Sequence, residues 1–324
     1  MKNAFKSFLI LGLFLGFQSC KDNPAGPGGG LGGKIVFSMT TGATPYSTGE
    51  SHIYVMNADG SGLRQLTFGS YEDMPRWSPD GSQIVFVSDS LWTSLGNPLW
   101  IMKADGSNWR PVKYYTTVAQ PGENPSWSPD GKKIAFDWCT HCEYGVMIWD
   151  IYVVDLTTEG INKITFGEGD NGYPIGSNVT PVFSPDGKKI FFNSSRYDST
   201  DGTIAGIFSM NQDGNDVRKV VVTSPTVGFH VSPSVSPDGE TLAFVQGDTS
   251  GSALFISNID GCNIFKLTDP PIGTSIILPR WSPDGKHIIF VSGPGIGGGI
   301  FVINTDGTNL VKLKVGDISA VDWY

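Results

Sequence analysis

The sequence predicts an all-β protein: a six-bladed β-propeller of four-stranded antiparallel blades, with the ring closed by its own N- and C-terminal strands. Three observations predict it. Ser-Pro-Asp-Gly recurs at Ser78, Ser128, Ser184, Ser236 and Ser282, with gaps of 50, 56, 52 and 46 residues. A fixed period of this size marks a repeat architecture. A second unit, typified by Ile53 to Thr67 around Asp59-Gly60, interleaves with the first. It returns at 99–112, 207–222, 254–268 and 300–313, and with Glu159-Gly160 in place of Asp-Gly at 151–165. The third observation is the mismatch: six units of the second kind stand against five of the first.

Each strand follows from local chemistry. Asp-Gly between two alternating apolar runs is the strongest short hairpin signal, because glycine takes the left-handed conformation and Asp bonds nearby backbone. Strand A of each repeat ends in an aromatic or apolar residue before Ser-Pro (Trp77, Trp127, Phe183, Val235, Trp281). Strand B is the apolar run after the turn: Ile84-Val-Phe86, Ile134-Ala-Phe136, Ile190-Phe-Phe192, Leu242-Ala-Phe244 and Ile288-Ile-Phe290. A variable loop leads to strand C, and the second Asp-Gly turn leads to strand D. Four-stranded units of this length repeated radially make a propeller. Lys34 to Phe37 is a strand B without a strand A, and Ile318 to Tyr324 is a strand A without a strand B. Pairing them completes the sixth blade and removes exposed sheet edges.

The run Pro75-Arg-Trp-Ser-Pro-Asp-Gly81, the following Ile-Val-Phe and the run Ile53-Tyr-Val-Met-Asn-Ala-Asp-Gly60 resemble the TolB-type propeller repeat. The resemblance covers roughly Lys34 to Tyr324 and implies a TolB-like, WD40-like propeller. TolB itself adds an N-terminal α/β domain that partners other envelope proteins; the expectation here is a propeller-only lipoprotein. The repeat also resembles the propeller of prolyl-oligopeptidase-like enzymes, but no Gly-x-Ser-x-Gly elbow occurs.

Residues 1–19 read as a secretory signal, with Lys2 and Lys6 before an apolar stretch from Phe8 to Phe17 that is too short to span a bilayer as a helix. Phe17-Gln-Ser-Cys20 looks like a bacterial lipobox, which makes Cys20 the expected lipidation site. Residues 20–33 form a Gly/Pro-rich tether too poor in apolar residues to order itself, and 34–324 form the propeller. The expected location is the bacterial cell envelope, lipid-anchored at the outer membrane, on its periplasmic side or surface. Loss of the signal removes Lys2 and Lys6 and takes the formal net charge from −9 to −11. An acidic surface argues against nucleic acid and against electrostatic adhesion to anionic lipid. Cys139 and Cys142 in Cys-Thr-His-Cys suggest a local disulfide in an oxidising compartment. Two free thiols, a redox pair or half of a zinc site are the other readings.

Loop-length variation falls on the B–C and D–A loops, which share one face of the disc, so the binding site is expected there, at the channel mouth. The candidate residues are Glu72, Asp73, Glu123, Asn124, Asn178, His230 and Trp92. The acids would take a cation or a basic peptide end, or stand as solvated entry residues. The loop aromatics (Trp92, Trp100, Trp138, Tyr144, Trp149) suit sugar rings or peptide side chains, or else pack between blades. No cofactor is expected, and partners are an envelope protein, peptide or glycan. The alternative is a metal-assisted polysaccharide lyase or hydrolase, since some propellers of this repeat type resemble pectic-oligosaccharide lyases with histidines and a metal at the mouth. Of His52, His141, His230 and His287, only His141 and His230 fall in suitable loops, so the non-catalytic module is preferred.

Overall fold

The computed structural model describes residues 31–42, 49–89, 99–112, 122–141, 147–166, 176–198, 202–223, 232–248, 251–268, 276–293 and 298–324. Their strands form six separate four-stranded antiparallel sheets. Blade 1 orders Asp317–Trp323, Lys34–Thr41, Glu50–Asn57 and Arg64–Gln65 from strand A to strand D. Blade 2 orders Glu72–Trp77, Gln83–Ser88, Leu99–Lys103 and Arg110–Pro111; blade 3 orders Gly122–Trp127, Lys133–His141, Ile148–Asp155 and Ile161–Lys163. Blades 4, 5 and 6 open on strands A at Asn178–Phe183, Ser234–Val235 and Ile276–Trp281. The predicted ring closure is present: Ile35 stands opposite Trp323 and Phe37 opposite Val321. Outside that ladder, Tyr324 N–H donates to the Lys34 carbonyl at 2.9 Å.

The Ser-Pro-Asp-Gly unit builds the same turn each time. Ser78 Oγ donates to Asp80 Oδ1 at 2.6 Å and accepts from Gln83 N–H at 2.9 Å. Gly81 takes φ 66°, and its N–H donates to the Ser78 carbonyl at 2.9 Å. Asp130, Asp186, Asp238 and Asp284 repeat the contact with their own serines. In the variant unit, Glu159 rather than Gly160 takes the left-handed conformation, at φ 58°.

Among the described residues the core is six clusters, one in each seam between neighbouring blades. Ile53 and Val55 of blade 1 pack on Trp77, Ile84 and Phe86 of blade 2. Val291 and Ile300 of blade 6 pack on Ile35, Phe37 and Trp323 of blade 1. Ile35 and Phe37 point to one seam and Val36 to the other. That alternation is the period-two rule of a strand. It explains why the central run of each strand B, such as Ile84-Val-Phe86, is apolar at every position: both of its faces are covered.

Strand A carries a feature the sequence did not disclose. Met74, Asn124, Thr180 and Leu278 all have φ between 47° and 53°, and each precedes a proline. The register slips at the same points, between Asp73 and Arg76, Glu123 and Ser126, Val179 and Val182, and Ile277 and Arg280. A bulge of this kind redirects side chains. It divides the innermost strands of blades 2, 3, 4 and 6 into an upper part at the mouth and a lower part in the channel.

Candidate functional site: the mouth and the channel

At the mouth, the first residue of strand A joins neighbouring blades. Glu72 is fully buried, and its Oε2 lies 3.3 Å from His52 Nδ1 of blade 1 and 3.3 Å from the Gly69 N–H. In the equivalent place, Asn178 of blade 4 donates from Nδ2 to Asp150 Oδ1 of blade 3 at 3.1 Å and accepts from Ser194 Oγ at 2.9 Å. Asp150 is also held by Thr165 Oγ1 and by Lys163 Nζ, each at 2.9 Å. The carboxyl lies on strand A in one seam and on strand C in the other. Both residues are in place at the mouth but engaged between blades.

Asp73, also buried, accepts from Ser38 Oγ, from Ser319 Oγ at 2.8 Å and from the Met74 N–H at 2.6 Å. The Tyr71 hydroxyl reaches its other oxygen at 3.4 Å. Glu123 and Asn124 are half-buried. Asn124 Nδ2 donates to Asp137 Oδ2 at 3.0 Å, and the Thr180 N–H donates to the same oxygen at 2.7 Å. Asp137 Oδ1 is buried with no hydrogen-bond partner. Burial pushes the Asp137 carboxyl up to about 7, against the pull of the Thr180 N–H, and the Glu123 charge adds to the rise. Glu123 is itself raised, first by burial and then by Asp73. Asp73, Glu123 and Asp137 thus form a row of mutually repelling carboxyls across blades 2 and 3. Sequence reasoning missed Asp137. Its signal was a carboxylate directly after Ile-Ala-Phe, where blades 2, 5 and 6 carry valine.

His230, Trp92, Tyr144, Cys142 and Cys20 lie outside the described residues. Trp100 and Trp138 are buried in seam clusters, so they do not present rings to a ligand; Trp149 is half-buried. Cys139 is buried and disulfide-bonded, while Cys262 is exposed and free. Among the described residues, no group of three His, Cys, Asp or Glu side chains is spaced to hold a metal ion.

Below the bulges, equivalent positions of the six blades place Asp322, Arg76, Ser126, Val182, Ser234 and Arg280 around one channel cavity of about 380 Å³. Sequence reasoning passed over these residues as scaffold. Arg76 and Arg280 share the context Pro-Arg-Trp-Ser-Pro-Asp-Gly, which was the available signal.

Six blades around a channel that is acidic at its mouth and lined by arginine below define a β-propeller built to present an axial polar site. The chain belongs to the TolB beta propeller domain family, which matches residues 116–323. The Tol-Pal system protein TolB of Francisella tularensis subsp. mediasiatica is 26% identical over 250 residues, covering 73% of this chain and 50% of that protein. The chain therefore spans about half the length of the TolB relatives it matches. Among solved structures, TolB from Acinetobacter baumannii superposes with a TM-score of 0.68 at 21% identity, covering 91% of this chain and 67% of that one. An oligogalacturonate lyase in complex with manganese reaches a TM-score of 0.55 at 17% identity, covering 82% of this chain and 70% of that one. At these identities the likeness is one of fold.

Proposed function

We propose that this protein is a non-catalytic binding module of the bacterial cell envelope, anchored through a lipid on Cys20, whose mouth captures a basic group of a protein or peptide partner. One observation carries the reading: the row Asp73, Glu123 and Asp137, in which two carboxyls are held above their ordinary range and one buried oxygen has no partner. A lysine, arginine or amino end in that row would relieve the repulsion and supply the missing donor. The family membership agrees with a binding role, since TolB relatives are Tol-Pal system proteins.

The buried Glu72 and Asn178 brace the mouth, and the half-buried Glu123 and Asn124 meet the partner. Immobilised protein should capture a partner from envelope extracts, and Glu123→Gln should lose that capture while melting at or above wild type at neutral pH, since it removes a carboxyl strained by burial and by Asp73. Asp80→Ala, in a turn on the other face, should lower melting and keep capture. Undiminished capture by Glu123→Gln would refute the site. For the anchor, labelled fatty acid should enter wild type and not Cys20→Ala; equal labelling of both would refute it.

A further inference from the structure

We propose that the channel cavity below the bulges is a second, independent site, which takes a single carboxylate carried on an extended peptide segment. The six lining positions alternate with near-mirror symmetry. Asp322 of blade 1 is flanked by Arg280 of blade 6 and Arg76 of blade 2. Ser234 and Ser126 come next, and Val182 stands opposite Asp322. Two guanidiniums and two hydroxyls therefore face a cavity containing one fixed carboxylate.

The guanidiniums are alike in conformation. Arg76 Nη1 donates to the Pro75 carbonyl and Arg280 Nη1 to the Pro279 carbonyl, each at 2.8 Å. Arg76 is 5% exposed, lines the cavity, and its Nη2 has no hydrogen-bond partner. Asp322 does not use up the pair. Its Oδ2 accepts the Trp77 N–H at 2.8 Å, and its Oδ1 lies 3.8 Å from Arg280 Nε, beyond a good hydrogen bond. Burial together with Arg76 pulls Arg280 down to about 9, still protonated at neutral pH.

The lining carries one positive charge in excess, and an uncompensated buried charge is costly. A monoanion balances it, whereas a dianion overshoots. A carboxylate also matches the planar fork of arginine. Prolines and tryptophans, including Pro79, Pro237, Trp77 and Trp281, form most of the remaining wall and suit a peptide backbone rather than a sugar phosphate. The volume lies in the range of about 300–1,000 Å³ usual for small-ligand sites. The cavity borders the Ser-Pro-Asp-Gly turns, on the far side of the bulges from the acidic mouth, so the two sites stand or fall separately.

The test is calorimetric titration of the full chain with acetyl-trialanine bearing a free C-terminal carboxylate, its C-terminal amide, and acetate. The acid peptide should bind saturably and at least about tenfold more tightly than the amide, the scale of a charge-assisted hydrogen bond. Arg280→Gln should lose about tenfold or more, and added salt should weaken binding. Should Arg280→Gln fail to fold, the double change Ser126→Ala, Ser234→Ala replaces it, with a loss of severalfold expected. Acetate binding as tightly as the acid peptide, with the same dependence on Arg280, would support the carboxylate site and assign it to free small acids. Equal binding of acid and amide, no binding of either acid, or full affinity in a folded Arg280→Gln protein would overturn the proposal.

Discussion

The Trp77 N–H donates to Asp322 Oδ2 at 2.8 Å, so the innermost strand of blade 2 hangs on a side chain from the last strand of the protein. The same latch recurs where the Phe183 N–H of blade 4 donates to Ser126 Oγ of blade 3 at 3.4 Å. In both, a channel-lining side chain accepts the backbone of the next blade. At the first seam that side chain also carries the charge facing Arg76 and Arg280.

Asp322→Ala should therefore destabilise the fold strongly. It removes the acceptor of Trp77 and leaves two buried arginines without their carboxylate, a loss on the order of 3–5 kcal/mol. Asp322→Asn should cost less, since it keeps an acceptor. Denaturant melts of the two variants check this. Equal, small losses would mean that Asp322 holds neither the seam nor the arginines.

Trp323→Ala should cost on the order of 3–5 kcal/mol, the usual penalty for a buried aromatic. Trp323 fills the seam between blades 6 and 1, and its Nε1 donates to the Gly32 carbonyl at 3.0 Å. Deletion of 317–324 should do more, because it exposes the strand-B edge of Lys34–Thr41. Aggregation or rapid proteolysis of that truncation is the expected outcome, against unchanged melting when residues up to Gly30 are removed, which keeps Leu31 packed on the seam.

Asp137 makes stability depend on pH with a definite sign. Its native value of about 7 stands above the ordinary aspartate value of about 3.9. Between those limits the native protein holds a proton that the unfolded chain has released, so stability falls as pH rises from about 4 to 7. Glu123 acts in the same direction. The wild type should melt at a lower temperature at pH 8 than at pH 5, and Asp137→Asn should flatten the difference. A wild-type melting temperature that climbs over this interval contradicts the assignment.

The cysteines should separate by reagent. Cys262, exposed and free, should alkylate in the native protein without reductant. Cys139 should react only after reduction and unfolding, because it is buried and disulfide-bonded. Peptide mass mapping reads both, and the expected partner is Cys142.

The sequence disclosed most of the fold because each blade repeats the same local signals. Ser78, Asp80 and Gly81 act through bonds spanning five residues or fewer, and such contacts leave a legible pattern. Ring closure was legible for a different reason: the two half-blades could be counted. The site was less legible. Glu72 and Asn178 were placed at the mouth by register, but their burial depends on His52 and Asp150 of neighbouring blades, about 20 to 30 residues away in sequence. The left-handed bulge at Met74, Asn124, Thr180 and Leu278 involves four unrelated residue types, and the proline that follows each of them ordinarily favours extended backbone, so the shared proline did not read as a bulge. Arg76 and Arg280 were visible but were read as repeat residues, because only the closed ring shows that they face each other across Asp322.

Closure by the final strand also decides how the domain bears load. Lys34–Thr41 does not lie at a sheet edge; it is laddered on one side to Asp317–Trp323 and on the other to Glu50–Asn57. A pull transmitted from the residues before Gly33 along that strand must slide two ladders at once instead of peeling one bond at a time. The end of the propeller nearest any tether is thereby loaded in shear, the direction in which paired strands resist most.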